Sequence, residues 1–193
     1  MDTQPTLETQ RLTLRAFTRA DAPIVQRLAG DRAIADTTLN IPHPYENGVA
    51  ESWIASHEAL RAQGASVTFA VVRRSDDVLV GAIGLTLHPE RHRAEMGYWI
   101  GRPYWGNGYA TEAARAIVAY GFAALGLHRV HASHLERNPA SGRVMQKIGM
   151  TREGTLRSHV RKWGVFEDVV VYGILREESA RLSAPPSAAA APA

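Results

Sequence analysis

Residues 11–17 alternate apolar and polar, with Leu12, Leu14 and Ala16 on one side, and this predicts a half-buried strand. Thr18 and Asp21 then stand three apart as in a capping box, with Asp in place of the longer Glu. The helix they predict carries Ile24, Val25 and Leu28 on one side and stops at Gly30. Residues 40–47, with Pro42 and Pro44, read as loop. Val49, Trp53, Ile54 and Leu60 recur at helical spacing until Gly64. Apolar runs at 67–72, 78–87 and 94–100 predict three strands, the first two joined by a turn at Ser75-Asp76-Asp77. Gly106-Asn107-Gly108 then opens a long helix whose face holds Ala110, Ala114, Ile117, Val118, Gly121 and Leu125. A strand at 129–135, a short helix at 139–148 closed by Gly149, and two strands at 150–160 and 166–175 complete the pattern.

The order β-α-α-β-β-β-α-β-α-β-β predicts an α+β (mixed α/β) domain. An antiparallel meander feeding a β-α-β unit implies a mostly antiparallel mixed sheet with helices on both faces. A right-handed crossover through the long helix sets the strands at 94–100 and 129–135 parallel.

Composition narrows the class. A chain of 193 residues, 45% hydrophobic and 21% charged, suits one globular domain, read as residues 5–180. From Ser183 on, Ser-Ala-Pro-Pro-Ser-Ala-Ala-Ala-Ala-Pro-Ala has nothing to bury, which predicts a disordered tail at 183–193. The absence of cysteine excludes disulfides, iron–sulfur clusters and thiol nucleophiles, and fits a reducing compartment. A net charge of +3 is too small to call for DNA. Met1-Asp2-Thr3-Gln4 has neither a basic nor an apolar leader pattern, and apolar runs stop well short of the roughly 18 residues of a membrane span. The expected location is the cytoplasm.

Glycines between a strand and a helix start are the physical recipe for holding phosphate. The first helical N–H groups lack partners, and the helix dipole favours an anion. The stretch Trp105-Gly106-Asn107-Gly108-Tyr109-Ala110-Thr111 has that form, and the missing side chains at 106 and 108 let a ligand approach the main chain. Asn-Gly is also a hairpin signal, but the Ala-rich helical period that follows argues against a hairpin. A flexible turn remains the plain alternative. The Gly-Lys-Ser/Thr of a P-loop is absent, and Thr111 stands where a dinucleotide fingerprint has Gly or Ala. A binding module for coenzyme A or a dinucleotide, without transfer, stays open at this point.

Glu8-Thr9-Gln10-Arg11-Leu12-Thr13-Leu14-Arg15, Glu95-Met96-Gly97-Tyr98-Trp99-Ile100, Trp105-Gly106-Asn107-Gly108-Tyr109-Ala110-Thr111-Glu112-Ala113, and Asn138-Pro139-Ala140-Ser141 through Lys147-Ile148-Gly149-Met150 resemble the GCN5-related N-acetyltransferases (GNAT). The branch most similar is the RimJ/RimL type, and the likeness runs in order over about residues 6–178. It implies the GNAT fold, with the strands at 94–100 and 129–135 splayed apart. It also implies acetyl-CoA as cosubstrate, without a metal, and transfer to the N-terminal α-amine of a protein by direct attack on the thioester. A small amine (polyamine, amino sugar or amino acid) is the rival acceptor within the same fold. Whether the chain forms a homodimer stays open.

The resemblance assigns the pyrophosphate of acetyl-CoA to Gly106, Asn107, Gly108, Tyr109, Ala110 and Thr111, with Trp105 standing where the family more often has a basic or amide residue. It pairs pantetheine with the backbone of Tyr98, Trp99 and Ile100, one amide of which is a candidate oxyanion donor. Asn138 and Ser141 face the thiol end, and Ser141 is the expected donor to the departing thiolate. Many relatives carry a tyrosine four residues beyond this serine, where Met145 stands here. Glu95 is the expected base, acting through a water; its plain alternative is a sheet-edge charge. The plain alternative for Ser141 is a helix cap. Arg137, Arg143 and Lys147 are candidates for the adenosine phosphates, with a solvated surface as the plain alternative. Arg152, Arg157, Arg161 and Lys162 face either solvent or an acidic partner such as a ribosomal protein or RNA. Of the eight histidines, His128, His131 and His134 do not share a strand face, and none sits in a metal motif. His88 and His92 read as solvated loop, with contact to the acceptor as the alternative; the resemblance sets Pro42-His43-Pro44-Tyr45 and Trp53 at the border of the acceptor site, and Trp53 by its spacing reads rather as core.

Overall fold

Alternating apolar side chains make two cores, one on each face of a single sheet. A computed structural model describes residues 4–183. The strands are β1 (Leu7–Glu8), β2 (Leu12–Arg15), β3 (Ser66–Arg73), β4 (Val78–His88), β5 (Arg93–Ile100), β6 (Arg129–Leu135), β7 (Thr151–Lys162) and β8 (Val165–Leu175). The helices are α1 (Ala22–Ala29), α2 (Arg32–Thr37), α3 (Val49–Ala62), α4 (Tyr109–Ala123), α5 (Pro139–Lys147) and α6 (Arg176–Ser183). The sheet order is β1-β2-β3-β4-β5-β6-β8-β7, and among the described residues β5 with β6 is the one neighbouring pair that runs parallel. On one face, Val80, Ile83, Leu85 and Met96 pack on Ala113, Ala114 and Ile117 of α4. On the other, Leu79, Ala82 and Trp99 pack on Val25 and Leu28 of α1 and Ile54 of α3. Strand alternation sends neighbours to opposite cores, which is why these runs are apolar throughout.

Parallel pairing of β5 with β6 covers Arg93↔Arg129, Ala94↔Val130 and Glu95↔His131, and stops there. Beyond it β5 follows β4 to Ile100, and β6 follows β8 to Leu135. The two strands therefore part as a wedge, with unpaired backbone on the facing edge of β5. This is the splay that the resemblance implies.

Two differences from the sequence reading have local causes. The strand expected at 11–17 ends at Arg15, because Asp21 draws the chain into a turn. The Asp21 carboxylate accepts from the Thr18 N–H at 2.7 Å and from both terminal nitrogens of Arg15 at 2.8 and 2.9 Å. Helix α2 was not expected; Asp31 caps it by accepting from the Ala33 N–H at 2.9 Å. Helix α6 also was not expected. The tail read from Ser183 onward lies, past Ser183 itself, outside the described residues. Among the described residues no helix is long and apolar enough to cross a membrane.

Candidate active site

The wedge between β5 and β6 opens into a cleft of about 920 Å³. One end is bounded by the glycine loop and α5, the other by α3 and by the segment that follows α2.

At the glycine loop, Gly106 and Gly108 have φ of +78° and +79°. L side chains rarely adopt that conformation, so glycine is required there by the backbone. The loop hands over to α4 at Tyr109, and the unpartnered N–H groups of its first turn suit an anion. Arg11 and Glu112 hold the loop from outside. The Glu112 carboxylate accepts from Thr9 Oγ1 at 2.6 Å and from the Arg11 main-chain N–H and Nε, each at 2.7 Å. Arg11 Nη1 donates to the Asn107 carbonyl at 3.0 Å, and the guanidinium lies 5.0 Å from the Tyr109 ring centre. Burial pushes the Glu112 carboxyl up, but the donors of Thr9 and Arg11 outweigh it and hold the pKa below the usual range.

The cleft brings together most of the expected site. Glu95, Tyr98, Trp99 and Ile100 line it from β5, and Trp105, Gly106, Gly108, Tyr109, Ala110 and Thr111 from the loop and α4. Asn138, Ser141, Arg143 and Lys147 line it from α5 and its cap. The Asn107 side chain is engaged within the loop: it donates to the Tyr104 and Trp105 carbonyls, each at 3.1 Å, and so closes the loop, which leaves Asn107 only its main chain to offer a ligand. Trp105 Nε1 donates to the Ile100 carbonyl at 2.5 Å, which ties the loop to the end of β5. Arg137 is not part of the cleft lining either. It donates to Asp36 Oδ2 at 2.9 Å and the Asp36 carbonyl at 2.7 Å, and through Nε to Glu167 at 2.7 and 2.8 Å. Its guanidinium is thus engaged by two carboxylates, which argues against the phosphate role read for it.

Ser141 sits in the first turn of α5. Asn138 caps that helix by accepting from the Ser141 N–H at 3.3 Å, and it donates to the Thr37 carbonyl at 3.2 Å. The Tyr98 hydroxyl lies 2.7 Å from Ser141 Oγ and 3.2 Å from the Ser141 carbonyl. Burial pushes the Tyr98 phenol up to about 12, so it stays protonated. Glu95 is exposed to the cleft, with Ser133 Oγ donating to it at 3.4 Å.

Sequence reasoning missed three residues of this site. It placed Tyr98 for its backbone, whereas the side chain reaches Ser141. His57 of α3 lines the cleft beside Trp53, ring centres 4.5 Å apart, and neither of its buried ring nitrogens has a hydrogen-bond partner. Burial pulls its pKa down to about 4. His134 lines the cleft from β6, and a Cβ on Gly142 of α5 would fall 2.7 Å from its Nε2. The helical spacing of α3 was the one available signal, since it puts His57 four residues after Trp53. Trp53, expected as core, both packs on the α1–α3 core and lines the cleft.

Residues 11–151 match the sequence family described as the acetyltransferase (GNAT) domain. The uncharacterized N-acetyltransferase YoaA of Bacillus subtilis is 36% identical over 174 residues, covering 89% of this chain and 97% of that protein. Among solved structures, a GNAT-family acetyltransferase from Bacillus anthracis is similar with a TM-score of 0.80 and 28% identity, over 90% of this chain and 100% of that one. Mycobacterium smegmatis RimJ in complex with CoA-disulfide is similar in fold, with a TM-score of 0.81 and 24% identity over 90% of this chain and 88% of that one. The chain is an acyltransferase, and it belongs to the GNAT family of N-acetyltransferases.

Proposed function

We propose that the protein transfers the acetyl group of acetyl-CoA to the N-terminal α-amine of a polypeptide. The observation that carries this acceptor is the charge of the cleft: among the described residues lining it, Glu95 is the one carboxylate. One carboxylate suits one reacting amine, whereas a polyamine carries several ammonium groups that each need compensation. The wall opposite sets Ile34, Leu39, Ile41 and Trp53 beside Thr38, Asn40 and His57, and its apolar part suits the side chain of a terminal residue.

Each residue then has a physical task. The amides from Gly106 to Thr111 take the pyrophosphate, the Thr111 hydroxyl adds a donor, and Arg143 and Lys147 meet the remaining phosphates. The free edge of β5 from Tyr98 to Ile100 offers main-chain groups to pantetheine and, by one N–H, to the developing oxyanion. Acetyl-CoA supplies the thioester that the amine attacks. Glu95 takes the amine's proton through a water. Ser141 donates to the departing sulfur; when Tyr98 O–H donates to Ser141 Oγ, the serine's own proton is free to point there.

The test is thiol release from acetyl-CoA with short peptides of free α-amine, the same peptides blocked, and spermidine. Release with the free peptide alone is expected. Turnover of spermidine without turnover of peptides moves the acceptor to the small amines. Glu95→Gln is expected to cost most at low pH, where the amine depends on a base; a loss equal at every pH assigns Glu95 a structural charge instead.

A further inference from the structure

Acetyl transfer from a thioester to an amine leaves a proton over. An ammonium enters, the N–C bond forms, the C–S bond breaks, and an amide and a free thiol leave. Nitrogen gives up two protons, of which one ends on sulfur and the other must reach solvent. Glu95, the base in the proposed mechanism, lines the cleft, so bound acetyl-CoA and acceptor stand between it and the water on that side.

The sheet offers a second way out. Glu95↔His131 is the last parallel pair before β5 and β6 part. Paired neighbours lie about 4.8 Å apart and point to the same face, so the imidazole stands beside the carboxylate. Ser133, two residues further along β6 and on that same face, donates to Glu95 Oε1 at 3.4 Å. Ser133 and Glu95 line the cleft, and His131 does not. The three side chains therefore lead from the inside of the cleft to its outside.

The surroundings of the ring suit a group that receives a proton and does not keep it. Its Nδ1 is buried without a hydrogen-bond partner. The charged groups that face it are Glu95 and Arg93 from β5, Arg129 from its own strand, and Glu153 from β7, which is paired with Arg129. Opposite it on β8 stands Gly173, without a side chain. Burial above all, with Arg129 and Arg93, holds the His131 pKa below its ordinary value against the pull of Glu95. The neutral ring can accept from a carboxylic acid, and its neighbours oppose a lasting imidazolium.

We propose that His131 relays the reaction's net proton from Glu95 to solvent. The Glu95 carboxyl, protonated as the amide forms, passes its proton to the imidazole, which releases it to water outside the cleft and is neutral again for the next turnover. His131 acts through Glu95 and is a positioning residue for the proton. This rests on the reading of Glu95 as base.

The test uses the full chain with acetyl-CoA and the amine it turns over, the free-amine peptide or spermidine. His131→Asn keeps a polar side chain that carries no proton, and His131→Ala leaves a gap for a small base. Both are expected to lower kcat about tenfold, with KM for either substrate unchanged. Added imidazole is expected to restore His131→Ala, and to do so better as pH rises from about 6 to 8, because its neutral form accepts the proton. The unaltered protein and His131→Asn should gain nothing from it. Unaltered kcat in both variants overturns the proposal, and so does a loss that imidazole leaves in place at every pH, which is a packing effect. Glu95→Gln separates the two assignments. Full activity in that variant removes the base and the relay together, whereas impaired Glu95→Gln beside fully active His131→Asn removes the relay alone.

Discussion

The Tyr98 hydroxyl on β5 stands 2.7 Å from Ser141 Oγ at the first turn of α5, across the gap where the parallel strands separate. The position four residues after Ser141 holds Met145, 1% exposed in the core, so no phenol reaches the serine from its own helix. The neighbouring strand supplies one instead. Ser141→Ala is expected to lower kcat by roughly 10²–10⁴. Tyr98→Phe removes one hydrogen bond to the serine, worth about 1 kcal/mol, and is expected to lower kcat about fivefold to tenfold. Acetyl-CoA affinity by calorimetry should not change in either. An unaltered kcat in Tyr98→Phe separates the phenol from the chemistry.

Gly108 tests the anion site. Its φ of +79° strains any L residue, by about 1–2 kcal/mol. An added Cβ would approach only Arg11 Nη2, at 3.5 Å, an ordinary contact. The effect of Gly108→Ala is therefore a backbone effect on the loop amides. The dissociation constant for acetyl-CoA should rise about tenfold, while KM for the acceptor stays constant. Equal losses for both substrates point to general unfolding of the loop.

Arg137 joins three elements: Asp36 of α2, the turn before α5, and Glu167 of β8. Its neighbour Asn138 holds the Thr37 carbonyl and caps the Ser141 helix at once. The wall that follows α2 is thus tied to the serine through two consecutive residues. Arg137→Gln is expected to raise acceptor KM about threefold to tenfold with acetyl-CoA affinity unchanged. Asp36→Asn should share the effect and Glu167→Gln should not, because only Asp36 lies on the helix that leads into that wall. Matching effects from Asp36→Asn and Glu167→Gln reduce the arginine to a general brace.

His57 makes stability depend on pH. Its folded pKa of about 4 lies below the ordinary 6.5, so the unfolded chain takes up the proton first. Its contribution is complete above about pH 6.5 and is lost as pH falls toward 4. His131, also lowered by burial above all, acts in the same direction. The depressed carboxyls of Asp21, Glu112 and Glu153 lose their contributions in more acidic solution. Between pH 6.5 and 4.5, Tm of the unaltered protein is expected to fall, and that of His57→Phe to fall less. Parallel curves would show that His57 does not titrate with unfolding.

Periodicity was enough for the large elements. Leu12 and Leu14, the runs at 67–72 and 78–87, and the Ala-rich face of α4 repeat at the spacing of their structure, and each lies in the core. Helix α2 was not legible, since six residues offer less than two turns of period and its cap, Asp31, resembles any loop aspartate. Nor was the early end of β2, which depends on the Arg15–Asp21 pair six residues apart rather than on hydrophobicity.

The site divides in the same manner. Gly106 and Gly108 are visible in the chain itself, because a backbone at positive φ between a strand and a helix demands glycine wherever the rest of the protein lies. The motif order likewise carries the GNAT family in one dimension. Tertiary structure decided what those residues touch. Tyr98 and Ser141 are far apart in sequence, and their hydroxyls meet only because β5 leaves β6 after Glu95 and α5 faces the opening. The same packing turned Arg137 from a phosphate candidate into a brace on Asp36 and Glu167, and brought Trp163 beside His43. Local conformational demands are written residue by residue. Contacts between distant side chains depend on where strands diverge and helices pack, and the whole chain sets that together.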